Sequence, residues 1–262
     1  MFELIDIGAN LTHDSFDGDR HDVIHRAAEA GVKRLIVTGT SLGDSAQAAD
    51  LALAFPQQLF ATAGIHPHHA ADIDAQAIAE LKKLALTDSV VAIGECGLDF
   101  FRNYSPRDAQ LRGFEEQLRI ATEIRKPVFL HQRDAHDAMT GLLQQYLPDI
   151  EGGVAHCFTG NAAELKDYLD MGLYVGITGW ICDERRADAL RDAVKYLPLD
   201  RILLETDAPY LLPRDLPVNP HGRRNEPSTL PHILERAAFY MNRPAAEVAA
   251  AATRNTQQLF KI

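Results

Sequence analysis

Short apolar runs alternate along the chain with longer segments in which apolar residues recur at helical spacing. Runs of this kind, rich in Val, Ile and Leu, are typical of buried β-strands. The pattern predicts eight strands, at Leu4–Ile7, Arg34–Thr38, Leu59–Ala63, Val90–Ile93, Pro127–His131, Gly153–Cys157, Leu173–Ile177 and Arg201–Leu204.

The segments that separate the strands are rich in good helix formers, and Gly31 and Gly172 stand where two of these helices should end. The predicted helices are His21–Ala30, Ser45–Ala54, Gln76–Leu86, Asp108–Ile124, Ala135–Tyr146, Ala162–Met171 and Arg185–Tyr196, with C-terminal helices at Pro231–Tyr240 and Ala245–Phe260. Alternating strands and helices favour an α/β fold, a closed (β/α)8 TIM barrel in one domain over residues 1–262. The alternative is an open doubly wound sheet, although the first strand lacks the G-x-G-x-x-G turn that is typical of it.

Composition and charge narrow the function classes. The chain has 262 residues, 46% of them apolar, and a net charge of −11, which excludes a protein that coats duplex nucleic acid. No apolar run approaches the roughly 18 residues of a membrane span, and the segment MFELIDIGAN lacks the cationic start of a signal peptide. The three widely spaced cysteines, Cys96, Cys157 and Cys182, do not suggest a disulfide framework, so we expect a cytoplasmic protein.

Ionisable residues occur at the ends of four predicted strands, namely Glu95, His131, His156 and Asp207. In a parallel barrel the carboxyl ends of the strands share one face, where active sites form. Burying carboxylates and imidazoles costs free energy unless a partner compensates, and a divalent metal ion would do so. The pattern therefore predicts the centre of a metal-dependent hydrolase.

Side-chain alternation along the strands separates ligands from packing residues. If Glu95 and His156 point into the barrel, Cys96 and Cys157 point outward, so we interpret both cysteines as packing residues. The same alternation places Glu205 on the inner side, one layer deeper. We predict that it accepts a hydrogen bond from a ligating histidine.

Four blocks stand out along the chain: Gly64-Ile65-His66-Pro67-His68, Gly94-Glu95-Cys96-Gly97-Leu98-Asp99, His156-Cys157-Phe158-Thr159-Gly160 and Glu205-Thr206-Asp207-Ala208-Pro209-Tyr210. In order and spacing they resemble the signature blocks of the TatD family of metal-dependent nucleases, and the resemblance covers essentially the whole chain. It implies an amidohydrolase-like TIM barrel that uses a divalent metal ion to hydrolyse phosphodiester bonds of DNA or RNA. It also implies that the metal ligands are Glu95, His131 and His156, that Asp207 orients or deprotonates the attacking water, and that His66 faces the substrate near the metal.

The first strand departs from the family pattern. Most of the family carries Asp-x-His-x-His there, which supplies two ligands for a first metal, whereas this chain has Asp6-Ile7-Gly8-Ala9-Asn10. Gly8 offers no side-chain ligand and Asn10 is a weak one, so we expect one well-formed metal site and a second, weak site. A family member described as a 3′–5′ exonuclease on single-stranded nucleic acid shares this replacement, which implies the same activity here, in DNA repair or nucleic-acid turnover.

Several residues are candidates for substrate contacts. Guanidinium groups match phosphate bidentately, and the candidates are Arg133 after the fifth strand and, in the irregular stretch from Ala208 to Glu226, Arg214, Arg223 and Arg224. The alternative is that these arginines pair with carboxylates or face solvent. Asn10 and His68 are further candidates for substrate binding.

Aromatic side chains could stack on unpaired bases. The candidates are Phe100, Phe101, Tyr104, Phe158, Trp180 and Tyr210, although each could equally be a packing residue. Those that follow strand ends are favoured, which are Phe101, Tyr104 and Tyr210.

Metal identity and function class stay open at this point. Mixed nitrogen and oxygen ligands suit Mg²⁺, Mn²⁺ or Zn²⁺. We expect a monomeric enzyme that acts on the ends of single-stranded DNA or RNA. We do not expect it to associate with a membrane. A small-molecule hydrolase or deacylase of the amidohydrolase type would use the same ligands for carbonyl chemistry. A non-catalytic metal-binding module is the other alternative, in which loss of the first-strand histidines ended the activity.

Overall fold

A computed structural model describes residues 2–218 and 222–262 of the chain. These residues form eight strands, β1 Leu4–Ala9, β2 Val32–Val37, β3 Leu59–Ala63, β4 Val90–Asp99, β5 Val128–Arg133, β6 Gly153–Ala155, β7 Tyr174–Ile177 and β8 Ile202–Leu204. Their helices are α1 Arg20–Glu29, α2 Leu42–Ala54, α3 Ala75–Ala85, α4 Arg107–Ile124, α5 His136–Tyr146, α6 Ala162–Asp170, α7 Asp188–Ala193, α8 Leu230–Met241 and α9 Ala245–Phe260. None of the helices within these residues is both long and apolar enough to cross a membrane.

The strands make one sheet in the order β1 to β8, without a reversal. The pairs from β3 to β6, and the pair of β7 with β8, are parallel. A parallel bridge between Ala9 and Ala208 places the end of β1 beside the residues that follow β8. Sequential parallel strands with intervening helices are the topology of a TIM barrel, so the predicted fold class is confirmed.

The chain divides into two compact units. The first consists of Met1–Ile36, Cys157–Leu169 and Tyr174–Gln258, and the second of Val37–His156, Asp170–Leu173 and Leu259–Ile262. The interpretation of residues 1–262 as one domain stays a prediction.

In the first unit, hydrogen bonds anchor the chain that follows β8. The amide and hydroxyl of Thr206 donate to the carboxylate of Asp6 on β1. Asn225 donates to the carbonyls of Thr206 and Tyr210, at 3.0 and 2.8 Å. These bonds fix both ends of the irregular stretch predicted from Ala208 to Glu226, of which residues 219–221 lie outside the described part of the chain.

In the second unit, β4 is longer than predicted. The sequence placed its end at Ile93, but its pairing with β5 continues through Gly97 opposite His131 and Asp99 opposite Arg133. Glu95 and His131 therefore lie inside strands rather than after them. The register shifts between Ile93 and Cys96, so β4 carries a bulge at Glu95. Bulges of this kind redirect a side chain next to an active site.

Glycine allows β4 and β5 to approach closely beside this bulge. Gly97 has φ +141°, and a Cβ atom built there would lie 2.0 Å from the carbonyl oxygen of His131. A non-glycine residue would strain this backbone and would push against the segment that carries the His131 imidazole.

We predict that Gly97→Ala destabilises the protein by about 1–3 kcal/mol, because the added methyl group overpacks a closed contact. Urea unfolding of the variant checks this value. The matched control is Gly141→Ala in α5, where a Cβ atom would meet nothing within 4 Å. That change should instead stabilise the helix by roughly 0.5–1 kcal/mol. Equal effects at the two positions would contradict the proposed role of the close approach.

Candidate metal centre

One carboxylate oxygen in the second unit is surrounded by three imidazoles. Glu95 Oε1 lies 2.8 Å from His131 Nδ1, 3.4 Å from His66 Nε2 and 3.5 Å from His156 Nε2. The bulge in β4, the centre of β5, the end of β6 and the residues after β3 supply these four side chains. The structure thus brings together the three ligands implied by the family resemblance and adds His66 to the same cluster.

The cluster is largely shielded from water, and the lower local dielectric constant strengthens the electrostatic interactions between its charged groups. Glu95 is only 5% exposed. Burial opposes its ionisation, but His66, His156 and His131 outweigh this effect and hold the pKa of Glu95 well below its usual range. The site therefore contains an ionised, buried carboxylate, which is the group that a bound cation would stabilise.

His66 is oriented for donating a hydrogen bond rather than for ligating a metal. Its Nδ1 accepts a hydrogen bond from the backbone N–H of His68, at 3.1 Å. A neutral imidazole has a single N–H group, so the proton lies on Nε2, the atom that faces Glu95. Burial lowers the pKa of His66 to about 4, so the ring is neutral at pH 7. The prediction that His66 faces the substrate stays a prediction.

The two ring nitrogens of His131 have different environments, and one of them is suited to binding a metal ion. Nδ1 contacts Glu95, whereas Nε2 is buried and makes no hydrogen bond with the described residues. Burial opposes protonation of His131, but Asp99 and Glu95 outweigh it and raise its pKa. A buried imidazole nitrogen that makes no hydrogen bond, next to the carboxylates of Glu95 and Asp99, fits a site for a divalent ion. Binding would displace the imidazole proton, so affinity should increase with pH.

Asp99 is a site residue that the sequence reasoning did not single out. It is buried at the end of β4, and its Oδ2 lies 2.7 Å from His68 Nε2 and 3.6 Å from His131 Nε2. Its Oδ1 accepts the backbone N–H groups of Phe101 and Arg102. Burial opposes its ionisation, but His131, Arg102 and His68 hold the pKa of Asp99 below its usual range. The only available signal was its place at the end of the Gly94–Asp99 block.

Asp207 and Asn10 belong to the first unit, where they contact each other. Asn10 Nδ2 donates to Asp207 Oδ1 at 3.1 Å and to the carbonyl of Ala208 at 3.3 Å. The backbone N–H of Asp207 donates to the carbonyl of Gly8. The residues that replace the family's first-strand histidines thus orient the carboxylate of Asp207. The substrate-binding role of Asn10 stays a prediction.

Glu205 is fully buried in the same unit and accepts a hydrogen bond from the backbone N–H of Cys157. The predicted bond from Glu205 to a ligating histidine stays a prediction. Cys96 is buried with its Sγ 3.9 Å from the carbonyls of Ile93 and Phe129, which agrees with its interpretation as a packing residue.

An exposed aromatic surface lies beside the imidazoles of the second unit. Tyr104 is 66% exposed, and its ring centroid lies 4.6 Å from that of His68. Phe101 is 55% exposed, and the Arg133 guanidinium lies 4.0 Å from its ring centroid. Of the other stacking candidates, Tyr210 is exposed, whereas Phe158 is buried and serves packing.

The arginines after β8 have different surroundings. Arg224 donates to Asp19, at 2.8 and 2.7 Å, and to Glu226, at 2.7 Å, so it holds the loop in place, as the pairing alternative predicted. Arg214 pairs with Glu184, at 3.3 Å. Arg223 is exposed. Substrate contacts by Arg214, Arg223 and Arg133 stay predictions.

Comparison with known proteins places this geometry in a family. Residues 5–261 match the family model of TatD-related DNases. The chain belongs to the TatD-related DNase family. A relative from Pantoea sp. (strain At-9b), named 3′-5′ ssDNA/RNA exonuclease TatD, is 50% identical over 259 residues, which are 99% of this chain and 100% of the relative. A relative of the same name from Rahnella sp. (strain Y9602) is 49% identical over 262 residues, 100% of this chain and 98% of the relative.

Solved structures agree with this assignment to the TatD family. The crystal structure of YJJV, a TatD homologue from Escherichia coli k12, has 31% sequence identity and a TM-score of 0.89, covering 99% of this chain and 98% of that one. A TatD family hydrolase from Entamoeba histolytica has 27% identity and a TM-score of 0.89, with the same coverage. The predicted family and fold are confirmed, and the family match together with the named relatives supports a metal-dependent hydrolase that acts on nucleic acid.

The low pKa of His66 predicts how stability changes with pH. Between its ordinary value of 6.5 and about 4, the unfolded chain binds a proton at His66 that the folded chain does not. The contribution of His66 to the free energy of unfolding of chelator-treated protein should therefore decrease as the pH is lowered from 6.5 towards 4, whereas Asp6, whose pKa burial raises to about 7, contributes in the opposite direction. His66→Asn removes the His66 contribution, so the free energy of unfolding of this variant in urea should increase relative to wild type as the pH is lowered over this range. His25→Asn, on the exposed face of α1, is the control and should keep the wild-type slope. An unchanged slope in the His66 variant would show that the buried imidazole is not responsible.

Proposed function

We propose that this TatD family member is a metal-dependent 3′–5′ exonuclease that hydrolyses phosphodiester bonds of single-stranded DNA or RNA. The observation that carries the proposal is the buried, ionised Glu95 carboxylate with His131 and His156 beside it. The names of the relatives that share about half of its residues supply the substrate class and the polarity.

Glu95, His131 and His156 would hold the metal ion. One carboxylate and two imidazoles leave coordination positions open, and a divalent ion there would polarise the phosphoryl group and lower the pKa of a bound water. Mg²⁺, Mn²⁺ and Zn²⁺ all suit this donor set. We propose one strongly bound ion and a second that binds weakly, because Gly8 and Asn10 stand where the family supplies two histidines.

We assign the proton transfer from the attacking water to Asp207 and the stabilisation of negative charge on the phosphate to His66. Asp207 accepts a proton from the attacking water, and the hydrogen bond that Asn10 donates to its Oδ1 helps to orient the carboxylate. His66 carries its proton on Nε2 and can donate it as a hydrogen bond to a phosphate oxygen. Its neutral state at pH 7 makes it a donor that does not repel a cation.

The exposed surface of Phe101, Tyr104 and Arg133 suits the last nucleotide of a single strand. Aromatic faces stack on any base, which gives binding without sequence preference. Arg133 already lies over one face of Phe101 and can add a phosphate contact at its edge. His68 links this surface to the metal centre through Tyr104 and Asp99. We further propose a cytoplasmic monomer, in line with its three free cysteines.

End-labelled oligonucleotides test the proposal and the role of Asp207 together. With 5′-labelled single-stranded DNA and added Mg²⁺, Mn²⁺ or Zn²⁺, the protein should produce a ladder that shortens from the 3′ end. Asp207→Asn should lower the rate about 10²–10⁴-fold while metal binding measured by calorimetry is unchanged. Loss of less than tenfold would contradict the role of Asp207.

The same assay separates the alternative functions. No cleavage of any DNA or RNA, together with turnover of esters or amides, would favour a small-molecule hydrolase or deacylase. Bound metal without hydrolysis of either substrate class would favour a binding module. Either result would overturn the exonuclease proposal.

A further inference from the structure

A second group of metal-ligating side chains lies in the first unit. Cys182 ends the 3-10 turn after β7, Asp215 lies in the loop after β8, and His232 lies in the first turn of α8. Their ligand atoms all lie within 4.8 Å of one another. No sequence motif joins these residues, which come together only through the fold.

The two oxygens of Asp215 have different partners, and one of them faces His232 within the group. Its Oδ2 is held by Arg236 Nε at 2.9 Å, one turn further along α8 than His232. Its Oδ1 lies 2.6 Å from His232 Nε2. The ion pair of Oδ2 with Arg236 fixes the direction in which Oδ1 points. Groups that contact metal ligands from outside the coordination sphere orient those ligands in the same way.

The three side chains differ in burial and in protonation. Cys182 is buried, Asp215 is exposed and His232 is partly open to solvent. Burial, and then the charge of Asp215, raise the pKa of the Cys182 thiol. Burial opposes ionisation of Asp215, but His232 outweighs it and lowers the pKa of that carboxyl. A divalent ion would displace the thiol proton, and the resulting thiolate and carboxylate would balance its charge.

We propose that Cys182, Asp215 and His232 form a separate structural site for a divalent transition-metal ion of the Zn²⁺ class. A thiolate, an imidazole and a carboxylate suit Zn²⁺ or Co²⁺ and not Mg²⁺ or Ca²⁺. Tetrahedral ligands of zinc lie about 3.5 Å from one another, so the observed spacing needs only side-chain rotation. A water molecule would complete the coordination.

Such an ion would join three segments that are distant in the sequence. It would fasten the loop at Asp215, and with it the neighbouring Arg214, to the turn after β7 and to α8. The site would therefore stabilise the fold around the loop that carries candidate substrate contacts. Its ligands share no residue with the Glu95 cluster, so its occupancy is separable from catalysis.

Cobalt spectroscopy tests this site because only a thiolate ligand gives a strong near-ultraviolet charge-transfer band with Co²⁺. The full-length Cys96→Ala/Cys157→Ser protein, in which Cys182 is the remaining thiol, is treated with chelator and titrated with Co²⁺. The thiolate band should appear, reach the intensity expected of one thiolate-bound ion per chain and disappear when Zn²⁺ is added. His232→Asn and Asp215→Asn in this background should weaken Co²⁺ binding at least tenfold.

Two further variants make the result decisive. Cys182→Ser should abolish the band, whereas Glu95→Gln should leave it unchanged, because the Glu95 cluster contributes no thiolate. Absence of the band in the double variant at excess Co²⁺, with a native far-ultraviolet circular dichroism spectrum, would overturn the proposal. A band that survives Cys182→Ser, or full affinity in both the His232 and Asp215 variants, would overturn it too.

Discussion

An ionised carboxylate buried among imidazoles is the constraint on which this structure depends. Glu95 is 5% exposed, and removing a carboxylate from water is costly unless partners compensate. His131 at 2.8 Å and His66 at 3.4 Å supply part of that compensation. His131 Nε2 is buried between the carboxylates of Glu95 and Asp99 and makes no hydrogen bond within the described part of the chain, an environment that suits a bound cation.

The backbone of β4 and β5 has two features that bring the Glu95 carboxylate close to the imidazoles. A bulge at Glu95 turns its side chain towards the imidazoles, and Gly97 lets the two strands approach closely enough for this contact. Asp99 then closes β4 by holding His68 and facing His131. The extended strand therefore carries a carboxylate at the bulge and another at its end, and His131 lies near both of them.

Much of the fold could be predicted from the sequence because periodicity reports burial. Eight strands and their helices were placed in the right order, and Gly31 and Gly172 have the positive φ of helix ends. The end of β4 was wrong, because Gly94 and the polar residues after it are typical of a loop, whereas pairing with β5 continues to Asp99. Local composition does not reveal a bulge that depends on a neighbouring strand.

The sequence predicted that Glu95, His131 and His156 lie together, but not the detailed contacts around them. Glu95, His131 and His156 stood out because ionisable groups beside apolar runs need an explanation. The tautomer of His66 depends on a backbone N–H two residues away, and the link between Asp99 and His131 depends on strand register, so neither could be inferred from spacing. The group of Cys182, Asp215 and His232 has no local pattern at all, because a loop and two separate elements assemble it.

The most direct measurement of the central claim is anomalous diffraction from crystals soaked with Mn²⁺. We expect a single strong peak bonded to the carboxylate of Glu95 and to the imidazoles of His131 and His156. A map without a peak at Glu95, or with the ion held only by residues outside this cluster, would contradict it.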